Sequence, residues 1–345
     1  MPPVPIVGAG AVSAHGRGWR GLGQILTSVR CQPTPSIELA VSHPGTLSFE
    51  VESLTAPESV VEKRARLLMS RSAVLASMAS AAVLHDAGWR EGLEDVGFYL
   101  GVGASGGSIE QLTALLAASV RDHELSLTRF GEEGLAAVNP LFAFQLMNNF
   151  TLCHSAILHG TQGPNAAFFS RGTGTVVALL EAAHAVLGGE CDRALAGGAD
   201  SSVHAVTWAE LVREGWAERG LVPGEGAALL ALARPTASGR ALGFLEYVSV
   251  TGHAGLDGSG VDAVIVAPWG PPARESIAAF ADAVLPGCPV LDVSMVLGES
   301  LAASPALAWA VALDLLASEQ LARVVVVSHG LDGDVGIVAL RSGAV

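Results

Sequence analysis

Residues 163–201, GPNAAFFSRGTGTVVALLEAAHAVLGGECDRALAGGADS, carry the reading that decides the fold. Ala166–Phe169 is a short apolar run of strand character. A helical pattern follows from about Thr173 to Leu187, and Gly188-Gly189 closes it, glycine being the residue that best tolerates a left-handed C-terminal conformation. Arg193–Ala196 then reads as the next strand. Val176, Val177, Ala178, Leu179, Leu180, Ala183 and Val186 place apolar groups on nearly every face of that helix. A helix without a polar face must be covered on both sides. The pattern therefore predicts a layered α/β fold with this helix in the middle.

Outward from that segment, strand-like and helix-like runs alternate. Val4–Val7, Val96–Leu100, Ala227–Leu232, Leu242–Val250, Val264–Val266, Val290–Val293, Val324–Val327 and Gly336–Leu340 complete the predicted strands. Lys63–Ala87 and Pro305–Ala317 have helical spacing. The turn-rich stretch Thr236–Arg240 is the expected junction between two halves, 1–235 and 240–345. Alternation of this kind specifies buried sheets between helices.

Composition narrows the function classes. The 345 residues carry 19 Lys+Arg against 33 Asp+Glu, a formal charge of −14, which disfavours a nucleic-acid binder. Half the residues are hydrophobic and 15% are charged, which excludes disorder. One lysine, Lys63, stands against 18 Arg, which we read as codon bias. Cys31, Cys153, Cys191 and Cys288 form no CxxC pair, so neither a zinc site nor a disulfide framework is expected, and no cofactor is. No signal peptide is visible, and a cytoplasmic location is expected. Leu135–Ser170 has no Asp, Glu, Lys or Arg, but Asn139, Pro140, Gln145, Asn148, Asn149 and His154 interrupt it. It reads as protein interior or subunit interface, without a membrane span.

Several motifs imitate known chemistry. Gly101-Val102-Gly103-Ala104-Ser105-Gly106 matches GxGxxG, with Asp122 at the distance of a ribose contact, but Arg121–Gly134 is no second strand and a tight strand-to-helix turn accounts for the glycines. Gly298-Glu299-Ser300-Leu301-Ala302 imitates a nucleophile elbow, yet His329 precedes Asp332 and Asp334, the wrong order for that fold. His154, His159 and His184 stand alone in apolar surroundings and read as hydrogen-bonded core residues. Ser170-Arg171-Gly172 sits at the head of the buried helix, where unpaired N–H groups would stabilise a thiolate. Gly172 has no side chain, so the geometry is prepared for a nucleophile that is absent.

Six segments in order resemble the β-ketoacyl synthases, condensing enzymes of the thiolase fold. They are IVGAGAVSAHG (6–16), NPLFAFQLMNNFTLCHSAILHGTQGP (139–164), the segment quoted above, PGEGAALLAL (223–232), LDVSMVLGESLAASPALA (291–308) and SHGLDGDVGIVAL (328–340). The resemblance implies a thiolase-like layered fold of two related halves with buried central helices. It also implies a shortened second half, because His253–Gly260 runs straight to Val264 where the family has a helix, and Trp216–Gly220 leads directly to the GEG strand. The family condenses acyl thioesters with a Cys and two His. Those positions fall on Gly172, near Pro268 and on Glu299, and the accompanying Lys position falls on Ser294. None of these residues does the original job, and Glu299 brings negative charge unless it is protonated.

Relatives lacking the Cys are best known as chain-length factors, which pair with an active ketosynthase and shape its tunnel. Those carry Gln at the vacated position, where this chain has Gly172. The resemblance thus implies a non-catalytic subunit in a heterodimer with a ketosynthase, in polyketide, aryl-polyene or fatty-acid-like synthesis. Acyl carrier protein would dock mainly on the partner, since both it and this chain are acidic. The strand Pro164–Phe169 would be interfacial, with Phe168 and Phe169 on it, and Ile109, Leu112, Phe144, Met147 and Phe150 would line the tunnel. A basic face at Lys63, Arg64, Arg66 and Arg71 is a subsidiary docking candidate. The alternatives are a thioester hydrolase or acyltransferase using Cys153, His154, His253, Glu299 or His329, and a scaffold without a tunnel.

Overall fold

The computed structural model describes residues 1–28, 31–52, 54, 63–103, 106–169, 172–235, 241–250, 252–318, 321–330 and 333–343. The strands are β1 (Val4–Ser13), β2 (Gly97–Val102), β3 (Asn165–Phe169), β4 (Arg193–Ser201), β5 (Glu225–Ala233), β6 (Gly243–Ser249), β7 (Ala263–Ala267), β8 (Val290–Asp292), β9 (Arg323–His329) and β10 (Val335–Ser342). The main helices are α1 (Arg71–Asp86), α2 (Ile109–Ser119), α3 (Phe150–His159), α4 (Gly174–Gly188), α5 (Ala205–Arg213), α6 (Gly270–Val284) and α7 (Ser304–Ser318). Each apolar run read as a strand is one.

The strands follow one order, β8-β7-β9-β10-β6-β1-β5-β4-β2-β3. It is a repeat about the β6–β1 pair. In the first set β1 is antiparallel to β5, β5 antiparallel to β4, and β4, β2 and β3 are parallel. In the second, β6 is antiparallel to β10, β10 antiparallel to β9, and β9, β7 and β8 are parallel. Val4 to Ile6 pair with Leu245 to Gly243 and join the two sets.

The two apolar helices fill the middle. α4 packs on strands of both sets, as does α7, and their residues Val176, Leu179, Val186, Leu307, Trp309 and Val311 share one core. The all-round apolar surface of α4 is thus satisfied as the sequence requires. Gly189 closes α4 with φ of +80°. Residues Leu301–Ser318 are long and apolar enough to cross a bilayer, but this stretch is the second core helix with its lead-in turn, and most of it is buried between the sheets. The uncharged stretch before β3 is broken into Pro140–Phe142, Ala143–Leu146 and α3, none long enough to span.

The outer layers differ. α1 covers β1, β4 and β5, with α3 on α1 and β2, whereas α6 covers β7 and β9. The expected single helix Lys63–Ala87 is two, Lys63–Arg66 and α1, because Ser70 turns extended and accepts the Ala73 N–H at 3.2 Å as an N-cap. No described residue between β6 and β7 is helical, in line with the shortening read from the sequence. There Leu256 and Val261 pack on the outer apolar cluster instead. Glu246 on β6 pairs with Arg323 at 2.9 Å and Arg341 at 2.6 Å, an ionic cover on that face of the sheet. The expected junction Thr236–Arg240 lies outside the described residues.

Candidate functional site

The site is built where β3 hands over to α4. Ser170 and Arg171 lie outside the described residues; Gly172 is buried, with φ of +120°. A Cβ there would stand 2.9 Å from the Gly330 Cα and 3.3 Å from the His329 carbonyl oxygen. The backbone after β9 therefore occupies the space that a nucleophilic side chain on this conformation would enter. At the second residue of α4, the Thr175 hydroxyl donates to the Ala302 carbonyl. The Ala302 N–H donates to Asp200 at 3.3 Å, so the segment after Glu299 is held against α4 and β4.

The second cluster lies at the end of β8. Asp292 accepts the Ser294 N–H at 2.9 Å, the Ser294 hydroxyl at 2.7 Å and Arg274 Nε at 2.8 Å. Arg274 Nη2 donates to the Ser294 hydroxyl at 2.8 Å and stands 3.5 Å from Glu299 Oε1. Glu299 is buried, and neither carboxyl oxygen closes a hydrogen bond among the described residues. Burial pushes its pKa up to about 8, against the pull of Arg274 and the nearby Gly270 amide and with a push from Asp292. That shift favours the protonated form at neutral pH, in which the carboxyl can donate a hydrogen bond. Its backbone is fixed on both sides: its N–H donates to the Val222 carbonyl at 2.9 Å, and its carbonyl accepts the Ser202 hydroxyl at 2.9 Å. Pro268 is buried just after β7.

The imitation motifs resolve as packing. A Cβ at Gly103 would overlap the Asp200 carboxyl, and one at Gly101 would overlap Thr175, so close approach to β4 and α4 explains both glycines; Ala104 and Ser105 lie outside the described residues. Asp122 is exposed on a hairpin with φ of +51°. The Ser300 hydroxyl is buried and has no hydrogen-bond partner among the described residues, and Asp332 lies outside them. Burial pushes the Cys153 thiol up and the His154 and His329 imidazoles down. His253 stacks edge-on against Phe280, 5.5 Å away. No hydrogen bond among the described residues joins any two of Cys153, His154, His253, Glu299 and His329. His159 bonds the Ser77 carbonyl at 3.0 Å as a core histidine, whereas His184 is exposed beside Glu181.

Arg71 corrects the expected basic face. It turns inward to Glu225 at 2.5 Å, with Glu38 at 2.8 Å and Glu50 at 3.5 Å around it. Glu225 also accepts the Val51 N–H at 2.8 Å and the Ser201 hydroxyl at 2.9 Å. The side chains of Lys63 and Arg64 lie outside the described residues. This network escaped the sequence reading. Its one signal is Glu225, a lone carboxylate opening an otherwise apolar strand.

β3 ends the strand order of the sheet and, among the described residues, pairs with β2 alone. Phe169 is 58% exposed on it, while Phe168 is half-buried against the central core. Leu141, Leu146, Met147 and Ile157, on the segments that precede β3 in the chain, are also exposed. The rings of Phe144 and Phe150 lie 4.7 Å apart, tilted at 45° to each other. Ile109 is exposed at the first turn of α2, and Leu112 is half-buried one turn on. Ile109 faces a cavity shared with Met69, Arg71, Gln145, Glu38 and His204, so its wall is partly charged.

Comparison with known proteins agrees with this architecture. The family described as Beta-ketoacyl synthase, N-terminal domain, matches residues 1–237. No curated protein matches the sequence. Three solved structures share the fold. The ishigamide ketosynthase/chain length factor has a TM-score of 0.78 at 22% identity, covering 99% of each chain. A beta-ketoacyl synthase from Burkholderia phymatum STM815 has a TM-score of 0.76 at 17% identity, covering 99% of this chain and 100% of that one. AntDE:AntF, a type II PKS acyl-carrier protein in complex with its ketosynthase bound to the hexaketide, has a TM-score of 0.76 at 13% identity, with the same coverage. The thiolase-like layered fold expected from the sequence is the fold observed.

Proposed function

The chain belongs to the β-ketoacyl synthase family, and from that premise we propose that it is a non-condensing, chain-length-factor-like subunit that pairs with an active ketosynthase. The observation that carries the reading is Gly172: it stands where the family's nucleophile would, and the approach of Gly330 to 2.9 Å from its absent Cβ disfavours any side chain. Glu299 adds to it, since a buried, uncharged carboxyl supplies no imidazole chemistry at the second His position. The halves 1–235 and 240–345 then serve as scaffold for an interface in place of a reaction centre.

The interface in this reading is the free edge of β3. Its unpaired backbone groups and the exposed Phe169 give a partner strand both hydrogen bonds and apolar area. Phe144, Met147 and Phe150, with Ile109 and Leu112 behind, face the growing acyl chain. Acyl carrier protein binds chiefly through the partner, because a net charge of −14 opposes an acidic carrier.

The test is coexpression with a catalytically intact ketosynthase from the same organism. The expected result is a stable heterodimer that condenses malonyl thioesters, while this chain alone does not. Condensation by the isolated chain, or a stable homodimer that ignores the ketosynthase, refutes the reading.

A further inference from the structure

The four-residue turn Ser294–Leu297 is held at both ends. At its start, Asp292 takes the Ser294 N–H at 2.9 Å and the Ser294 hydroxyl at 2.7 Å on Oδ1, and Arg274 Nε at 2.8 Å on Oδ2. Arg274 Nη2 donates to the same Ser294 hydroxyl at 2.8 Å, so one guanidinium clamps β8 and the turn together. Further along, the Val296 carbonyl accepts His15 Nε2 at 2.6 Å. His15 follows β1, so the turn also joins the second half of the chain to the first.

Glu299 stands just outside this clamp. Its side chain is buried, its Oε1 lies 3.5 Å from Arg274 Nη2, and neither oxygen closes a hydrogen bond among the described residues. Two charged groups act on it: Arg274 from α6 attracts the ionised form, and Asp292 from β8 repels it. The Gly270 amide at the start of α6 also favours the charge, while Val222 and Ser202 bond the Glu299 backbone. A neutral carboxyl tolerates such a place. A carboxylate does not, because a buried charge needs hydrogen bonds far more than a buried neutral acid does. Arg274 Nη2 is the closest cationic donor among the described residues. Pivoting the guanidinium about its Nε–Asp292 bond closes the 3.5 Å gap and lengthens the bond to Ser294.

We propose that Arg274 is a proton-operated latch: when Glu299 gives up its proton, Nη2 leaves the Ser294 hydroxyl for the Glu299 carboxylate, and the turn Ser294–Leu297, with its His15 contact, loosens. The proton goes to solvent, and no covalent bond other than the O–H changes. Burial pushes the Glu299 pKa up to about 8, so the latch is closed at neutral pH and opens in mildly alkaline solution. The inference is independent of the partner-subunit reading and needs neither a ketosynthase nor a substrate.

The test is amide hydrogen exchange of the full chain, read by mass spectrometry from about pH 6.5 to 9.5 and corrected for the intrinsic pH dependence of exchange. The Ser294, Val296, Leu297 and Gly298 amides are each hydrogen-bonded and report the turn. Their protection is expected to fall about tenfold in a step centred near 8, as loss of one charge-assisted bond allows, while α3 stays unchanged. Glu299→Gln should keep the turn protected throughout, and Arg274→Gln should leave it weakly protected at every pH. His15 Nδ1 and Cys31 Sγ stand 3.9 Å apart beside the turn and are unaltered in both variants, so a step they caused would persist there. A flat profile in the unaltered chain, a step shared equally by α3, or a step that survives Glu299→Gln overturns the proposal. Should neither variant fold, the profile of the unaltered chain decides: a step confined to the turn supports the latch, and a flat or global one refutes it.

Discussion

Replacing Glu299 by Gln separates a neutral buried carboxyl from a charged one. In the folded chain burial holds Glu299 protonated up to a pKa of about 8, against 4.5 for an ordinary glutamate. Between those values the folded state binds a proton that the unfolded state has released, so stability falls as pH rises. The contribution is complete below the ordinary glutamate range and is lost as pH climbs through about 8, a total on the order of 5 kcal/mol. Gln keeps the shape and the neutrality but does not titrate. Thermal unfolding of both proteins across about pH 5 to 9 reads the difference. The unaltered chain should lose several degrees of Tm relative to Glu299→Gln toward the alkaline end, where the Gln variant becomes the more stable of the two. Parallel curves would refute the reasoning, because they would mean that Arg274, 3.5 Å away, holds the carboxylate charged throughout.

Three further outcomes follow from named contacts. Gly172→Cys should not restore condensation of malonyl thioesters and should cost about 1–3 kcal/mol by chemical denaturation, since φ of +120° and the 2.9 Å approach to Gly330 both oppose a side chain. Phe169→Asp should abolish co-purification with the ketosynthase while leaving the chain's own unfolding within about 0.5 kcal/mol, because the ring is 58% exposed and little of the fold depends on it. Arg71→Ala should destabilise by about 3–5 kcal/mol in the same denaturation assay, and Arg71→Ala/Glu225→Gln should recover part of that, because the single change strands a buried carboxylate.

The fold was legible because its central strands are buried on both faces. β4, β5, β7 and β9 read as continuous apolar runs, and a helix as apolar as α4 has only one place to lie. Helix ends were less legible. Helical spacing continues through Leu67–Ser70, and only the extended backbone of Ser70 reveals that α1 begins there. Arg71 was misjudged for a related reason. Local spacing placed it on a solvated face beside other basic residues, but its partner Glu225 lies 154 residues away on β5. Charge pairing across that separation is a property of sheet order, and no local window contains it.

The repeated strand order explains why only half of the candidate site could be read in advance. Corresponding strand-to-helix connections lie after β3 and after β8, and they lead into the two central helices. The first presents Gly172, which carries no side chain and was legible as such from the sequence. The second is filled with Arg274, Asp292, Ser294 and Glu299, drawn from α6 and from the β8–α7 connection. There residue identity is insufficient, since the same glutamate is a base when solvated and a neutral donor when buried. Burial decides between them, and the orientation of Arg274 sets how little the nearest cation offsets it. Its Nε is spent on Asp292 and its Nη2 donates to Ser294, which leaves the Glu299 carboxyl at 3.5 Å without a closed hydrogen bond. The cation nearest Glu299 is committed to Asp292 and Ser294, so it offsets the burial of that carboxyl only in part.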